Sequence, residues 1–134
     1  MHDASSSPST FHENMELLRQ SYLKRLSGHT AELRRLREML VGGFLPLKDM
    51  QVLSRVTHNF SGSGTTFGFP EITRTARALH ENLKSFIDIG AVPELKRGEL
   101  LEKLQAFEKA CRDSMLEKAV EPRAPNVSST MPSI

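Results

Sequence analysis

The chain has 134 residues, a formal net charge of +2, 6% aromatic residues, no tryptophan and one cysteine. That length suits one domain with a single substantial core. Bases spread through every segment with few aromatics argue against a dedicated nucleic-acid surface, and Cys111 alone excludes an internal disulfide and a cysteine-based zinc site.

Residues 1–10, rich in serine and proline, are expected to be disordered, and so are residues 119–134, with Pro122, Pro125, Ser128, Ser129 and Pro132. His2 to Pro8 lack the charged and apolar regions of a secretory signal, and no stretch approaches the roughly 18 apolar residues of a membrane span. No membrane contact and a cytoplasmic location are therefore expected. Residues 11–118 read as one folded unit. Its first helical region, capped at Ser9 or Thr10, carries Met15, Leu18, Tyr22, Leu26, His29, Leu33, Leu36 and Leu40 at three- and four-residue steps. His29 falls on this apolar stripe and is expected to be a packed or edge histidine. Ser27-Gly28 is a candidate break, and the pattern leaves open whether one helix or two result. Gly42-Gly43 ends the region.

Pro46 opens the next helix, where Met50, Leu53, Val56 and Phe60 form a stripe that continues in period to Phe67. Gly68 and Pro70 mark the turn to a helix with Ile72, Ala76, Leu79, Leu83, Phe86 and Ile87 on one side. Gly90 and Pro93 separate it from a last helix striped by Leu100, Leu104, Phe107, Cys111 and Met115. Each helix has one apolar face and no segment alternates as a strand would. An all-α, up-and-down antiparallel four-helix bundle with an additional N-terminal helical segment is the expected fold. Polar outer faces give no reason to expect more than a monomer.

His58 breaks the ordinary pattern. At roughly 100° per residue it lies roughly 150° from the centre of its helix's stripe, on an outward face shared with Gln51, Arg55, Gly62 and Thr65. A helix continuing to Phe67 would hold Gly62 in its interior, at a cost of about 1 kcal/mol relative to alanine. An outward glycine that gains no packing implies that a second macromolecule needs the space above His58. The alternative is a helix that ends early, leaving Gly62, Gly64 and Gly68 as a flexible loop.

An exposed neutral imidazole is a good nucleophile near neutral pH and can form covalent intermediates. No serine or cysteine nucleophile motif, HExxH or P-loop accompanies it. A lone nucleophile on a convex helix suits a carrier better than an enzyme, and phosphoryl is a fitting cargo because its transfer needs little beyond position and charge, which a partner can supply.

The run His58-Asn59-Phe60-Ser61-Gly62-Ser63-Gly64-Thr65-Thr66-Phe67-Gly68-Phe69 resembles the signature of histidine phosphotransfer domains: an apolar residue two after the histidine, glycine four after, and glycine ten after behind an apolar residue. Its Thr-Phe-Gly-Phe ending is similar to the phosphotransfer module of chemotaxis histidine kinases, and the resemblance spans about Phe11 to Lys118. It implies a four-helix bundle, for which neither a metal nor a cofactor is expected. In such a bundle His58 accepts a phosphoryl group at Nε2 and exchanges it with an aspartate of a response-regulator receiver domain, free or part of a hybrid histidine kinase. Two positions depart from the family. Ser61 stands where a lysine is usual, and His80 where an acid commonly tunes the imidazole through Nδ1. Arg55, one turn before His58, is the candidate replacement for the missing positive charge. His80, roughly 70° from the centre of its own stripe, is the candidate tuning group, and Arg55, Ser61, Gly62 and Thr65 are the candidate phosphoryl or partner contacts.

A free-standing, non-enzymatic phosphorelay carrier is the leading expectation, since the chain leaves no room for a kinase or receiver domain beside the bundle. The competing one is a degenerate bundle that binds and inhibits or scaffolds a kinase or regulator without carrying phosphate. A metal site using His58 and His80 is a third, with too few ligands to be attractive.

Overall fold

The computed structural model describes residues 8–120. Five α-helices follow in order: α1 (Pro8–Ser27), α2 (Thr30–Val41), α3 (Leu47–Ser61), α4 (Pro70–Ile89) and α5 (Arg97–Val120), with a short 3-10 turn at Glu94–Lys96 before the last. None of the described residues forms a strand. No helix among them is long and apolar enough to cross a membrane.

Helices α2 to α5 close a ring, each packing on its chain neighbour and α5 returning to α2, while α1 lies against α5 as the additional segment. This is the expected all-α bundle. The stripes read from the sequence meet at its centre. Leu33, Leu36, Leu40, Met50, Leu53, Phe60, Ile72, Ala76, Leu79, Leu83, Leu100, Leu104 and Phe107 are almost wholly removed from water. Each fully buried side chain of this kind stabilises the fold by about 1.5–3 kcal/mol before entropy is counted. Two ion pairs, each with a buried carboxylate, clamp the ring: Arg37 to Glu108 at 2.7 Å joins α2 to α5, and Arg35 to Asp49 at 3.1 Å joins α2 to α3.

The first helical region divides in two. Thr30 Oγ1 donates to the carbonyl of Ser27 at 2.9 Å, and Gly28-His29 forms the two-residue turn. His29 is half-buried, its ring edge-on to Phe60 at 5.6 Å, which is the packed role expected of it. Helix α1 begins at Pro8, inside the segment expected to be disordered; proline suits a first helical position because its missing N–H has no partner to lose there. The helix α5 continues two residues past the expected boundary of the folded unit, to Val120. The rest of the expected tails, residues 1–7 and 121–134, lies outside the described residues.

Leu18 departs from expectation. It is 51% exposed, because α1 engages the bundle through Tyr22, Leu23 and Leu26 and its earlier turns run beyond the core. At the other end of the α4 helix, Gly90 takes a left-handed backbone (φ 88°) and its N–H returns to the carbonyls of Phe86 and Ile87, a glycine-dependent stop.

Candidate functional site

Helices α3 and α4 lie antiparallel in the largest helix contact of the molecule, and the polar edge of their seam holds the candidate chemistry. His58 stands exposed in the last turn of α3, with Thr57 and Phe60 sealed beneath it. His80 faces it from α4, half-buried, with ring centroids 5.4 Å apart and planes at 44°. The residues Gln51, Ser54, Arg55, His58, His80 and Ile87 line a shallow depression that contains no carboxylate.

The hydrogen bonds around His80 turn its Nδ1 toward α3. Its Nδ1 lies 3.4 Å from both Ser54 Oγ and Thr57 Oγ1. The single hydroxyl hydrogen of Thr57 is held by the carbonyls of Leu53 and Ser54, each at 3.0 Å. Toward the ring Thr57 can then only accept, which makes His80 Nδ1 the donor of that contact. Among the described residues no hydrogen bond joins the two imidazoles directly.

The helix carrying His58 ends at Ser61, not at Phe67 as the periodicity led one to expect; Gly62 is its C-cap and residues 62–68 form a series of turns. Tertiary packing overrides the stripe. A straight helix would carry Phe67 about 10 Å beyond Phe60. The turns instead bring Phe67 to 5.0 Å from the Tyr22 ring, with Phe60 at 5.3 Å and Phe69 stacked at 6.0 Å. Arg19 on α1 fastens the same segment, its Nε donating to the carbonyl of Phe67 at 2.9 Å.

Gly62 is therefore not an interior helical residue, and the helix-propensity cost ascribed to it does not arise. The space above it is nonetheless real: it is exposed, and a Cβ there would meet nothing within 4 Å. Gly64 is the glycine that the fold requires, since a Cβ would come to 2.6 Å from the carbonyl oxygen of Phe69, 2.7 Å from Thr73 Oγ1 and 2.9 Å from the Thr73 nitrogen. Thr65 leaves the His58 face altogether. It sits exposed in the turns, with its N–H donating to Thr73 Oγ1 at 2.9 Å.

Ser61 turns its hydroxyl inward along the helix, donating to the carbonyl of His58 at 3.0 Å, and Ser63 does the same to Asn59 at 3.4 Å. Arg77, which the sequence did not single out, donates from α4 to the carbonyl of Ser61 at 3.4 Å. Three carbonyls that the helix end leaves without intrahelical partners are thus taken by side chains. Arg55 is exposed and lines the depression as expected, without a hydrogen-bond partner among the described residues. Ser54, Thr57 and Arg77 were missed because their roles depend on the register of α3 against α4.

Other reactive groups are shut away. Burial pushes the Cys111 thiol up to about 12, with Glu108 nearby adding to the rise. Burial likewise pushes the Tyr22 hydroxyl up to about 12; Ser63 tempers the shift without closing a hydrogen bond to it. A larger groove of about 860 Å³ runs between Phe69-Pro70 and the later half of α5, away from His58, and its charged rim is paired internally as Arg74 with Glu71 and Lys109 with Asp113. Among the described residues no group of three or more histidine, cysteine or acidic side chains is placed to hold a metal.

Comparison with family models, curated proteins and solved structures returns no significant match for this chain. The site is therefore read from its own geometry: one accessible imidazole, a second beside it, an arginine on the rim of their depression and open space above Gly62.

Proposed function

We propose that this chain is a cytoplasmic phosphocarrier of the histidine phosphotransfer type, exchanging a phosphoryl group between His58 and an aspartate of a response-regulator receiver domain, free or within a hybrid kinase. The lone pair of His58 Nε2 attacks the phosphorus of the aspartyl phosphate. An N–P bond forms as the P–O bond to the carboxylate breaks, and the carboxylate leaves with the electron pair. The proton on His58 Nδ1 stays in place, and the reverse step returns the group. The protein supplies position and charge, and the partner supplies the rest of the transfer machinery.

The observation that carries this reading is an exposed histidine in the last turn of α3, beside a glycine with open space above it, on a helix whose opposite face is sealed in the core. His80 takes the place of the family's acid: with its Nδ1 turned to Thr57, its Nε2 is the acceptor for the His58 Nδ1–H, the two rings lying 5.4 Å apart. That contact would favour the tautomer with a bare Nε2.

The test mixes the purified protein with isolated receiver domains from the same genome, each loaded with phosphate from acetyl phosphate. Acid-labile phosphate moving from at least one receiver onto this chain is the expected result. Stable binding to a receiver without any phosphate transfer would favour the scaffold or inhibitor instead.

A further inference from the structure

The end of α3 is an awkward place for an anion. The terminal carbonyls of a helix act as roughly half a negative charge, and a phosphoryl group carries up to about two more. His58 lies within the last turn, so a phosphoryl group on it would share this end of the helix with that partial charge. The hydroxyls of Ser61 and Ser63 satisfy two of the carbonyls but bring no charge. Arg77 does bring one, through its hydrogen bond to the Ser61 carbonyl.

The α3–α4 register puts this cation one turn along the seam from the His58–His80 pair. His58 faces His80, and one turn further along the same antiparallel seam Ser61 faces Arg77. Three residues of helix advance about 4.5 Å, a distance that an arginine side chain spans. The guanidinium has five N–H donors in a fork that matches phosphoryl oxygens, and one of its nitrogens is engaged by Ser61. Arg77 is exposed, so its other donors are open to a ligand.

We infer that Arg77 is the oxyanion-holding residue of the site, binding the phosphoryl oxygens on His58 while it neutralises the C-terminal end of α3. The inference rests on the phosphocarrier reading and adds to it a residue and a role. It also divides the two arginines: Arg55 borders the depression from solvent, whereas Arg77 is anchored at the helix end where the charge problem lies.

Phosphoramidate tests this without a protein partner, since His58 Nε2 forms its N–P bond as the donor's P–N bond breaks and ammonia leaves. The full chain carrying Arg77, Arg77→Lys, Arg77→Ala or Arg77→Glu is compared for the rate of acid-labile phosphate uptake, the ³¹P resonance of the phosphohistidine and helicity. Uptake is expected to fall in that order, with Arg77→Ala about tenfold slower than wild type, a displaced ³¹P resonance and unchanged helicity. Equal uptake by all four, with wild type labelled on His58, would overturn the role of Arg77 and leave the phosphocarrier reading standing. So would a loss of uptake that tracks loss of helicity and is the same for Ala and Glu, which would make Arg77 a helix cap only. A wild-type protein that takes no phosphate at all would overturn both.

Discussion

The two sides of the end of α3 obey opposite rules. On the inner side, Tyr22 gathers Phe60, Phe67 and Phe69, Gly64 is pressed against Thr73, and the Cys111 thiol is sealed nearby. On the outer side, His58, Gly62 and Arg77 are open to solvent, and the half-buried His80 ring packs beside His58. The chain crosses between these regimes within a few residues. Glycines two positions apart therefore stand in opposite surroundings, Gly64 pressed against backbone and Gly62 facing open space.

High pH should break the inner side first. The Cys111 thiol and Tyr22 hydroxyl have ordinary values of 9.0 and 10.0, and burial raises both to about 12 in the folded chain. The unfolded chain loses these protons first, so stability is fully present below pH 9 and declines as pH rises toward about 12. A loss of about 4 kcal/mol by pH 11 is expected, read as a falling urea midpoint. Cys111→Ala together with Tyr22→Phe should flatten that decline, and an unchanged slope would show that other groups cause it.

Gly64→Ala should destabilise the fold by about 2 kcal/mol, because backbone of Phe69 and Thr73 must move to admit a methyl group. That corresponds to a fall of about 8 °C in Tm. Gly62→Ala, placed in open space, should stay within about 0.5 kcal/mol of wild type. Comparable losses at both positions would erase the contrast between the two sides.

Gly62→Gln sharpens the comparison on the outer side. Transfer from a phosphorylated receiver should slow about tenfold through a steric clash of modest cost, while uptake from phosphoramidate, which needs no docking surface, stays unchanged. Equal slowing with both donors would mean that residue 62 disturbs His58 itself. The smallest effect is expected at His80→Glu. An exposed charge-assisted contact is worth about 0.5 kcal/mol, so uptake should rise about twofold if residue 80 acts on the His58 Nδ1–H. An unchanged rate would reduce His80 to a packing neighbour.

The helices and their buried stripes were legible because each depends on local periodicity, and so was the outward direction of His58. The end of α3 was not. Phe67 continues the stripe in period, yet its burial depends on Tyr22, a residue 45 positions earlier whose location no local pattern reveals. Arg77 was hidden for a similar reason: it falls on an ordinary exposed helix position and gains meaning only when the α3–α4 register sets it against Ser61. The pairing of His58 with His80 would have supplied that register, since the antiparallel partner one turn on from it is position 77 opposite 61. Gly62 was correctly expected to front open space, although the reason offered, an interior helical glycine, was mistaken because the helix stops there.

The central claim is that His58 takes and holds a phosphoryl group. It is tested most directly by incubating the full chain with phosphoramidate and locating the product by peptide mapping and ³¹P NMR, with His58→Gln alongside. The account predicts one acid-labile, alkali-stable phosphate per chain, on Nε2 of His58, and none on the folded His58→Gln variant. Phosphate on another residue, phosphate persisting on His58→Gln, or no phosphate on wild type would contradict it.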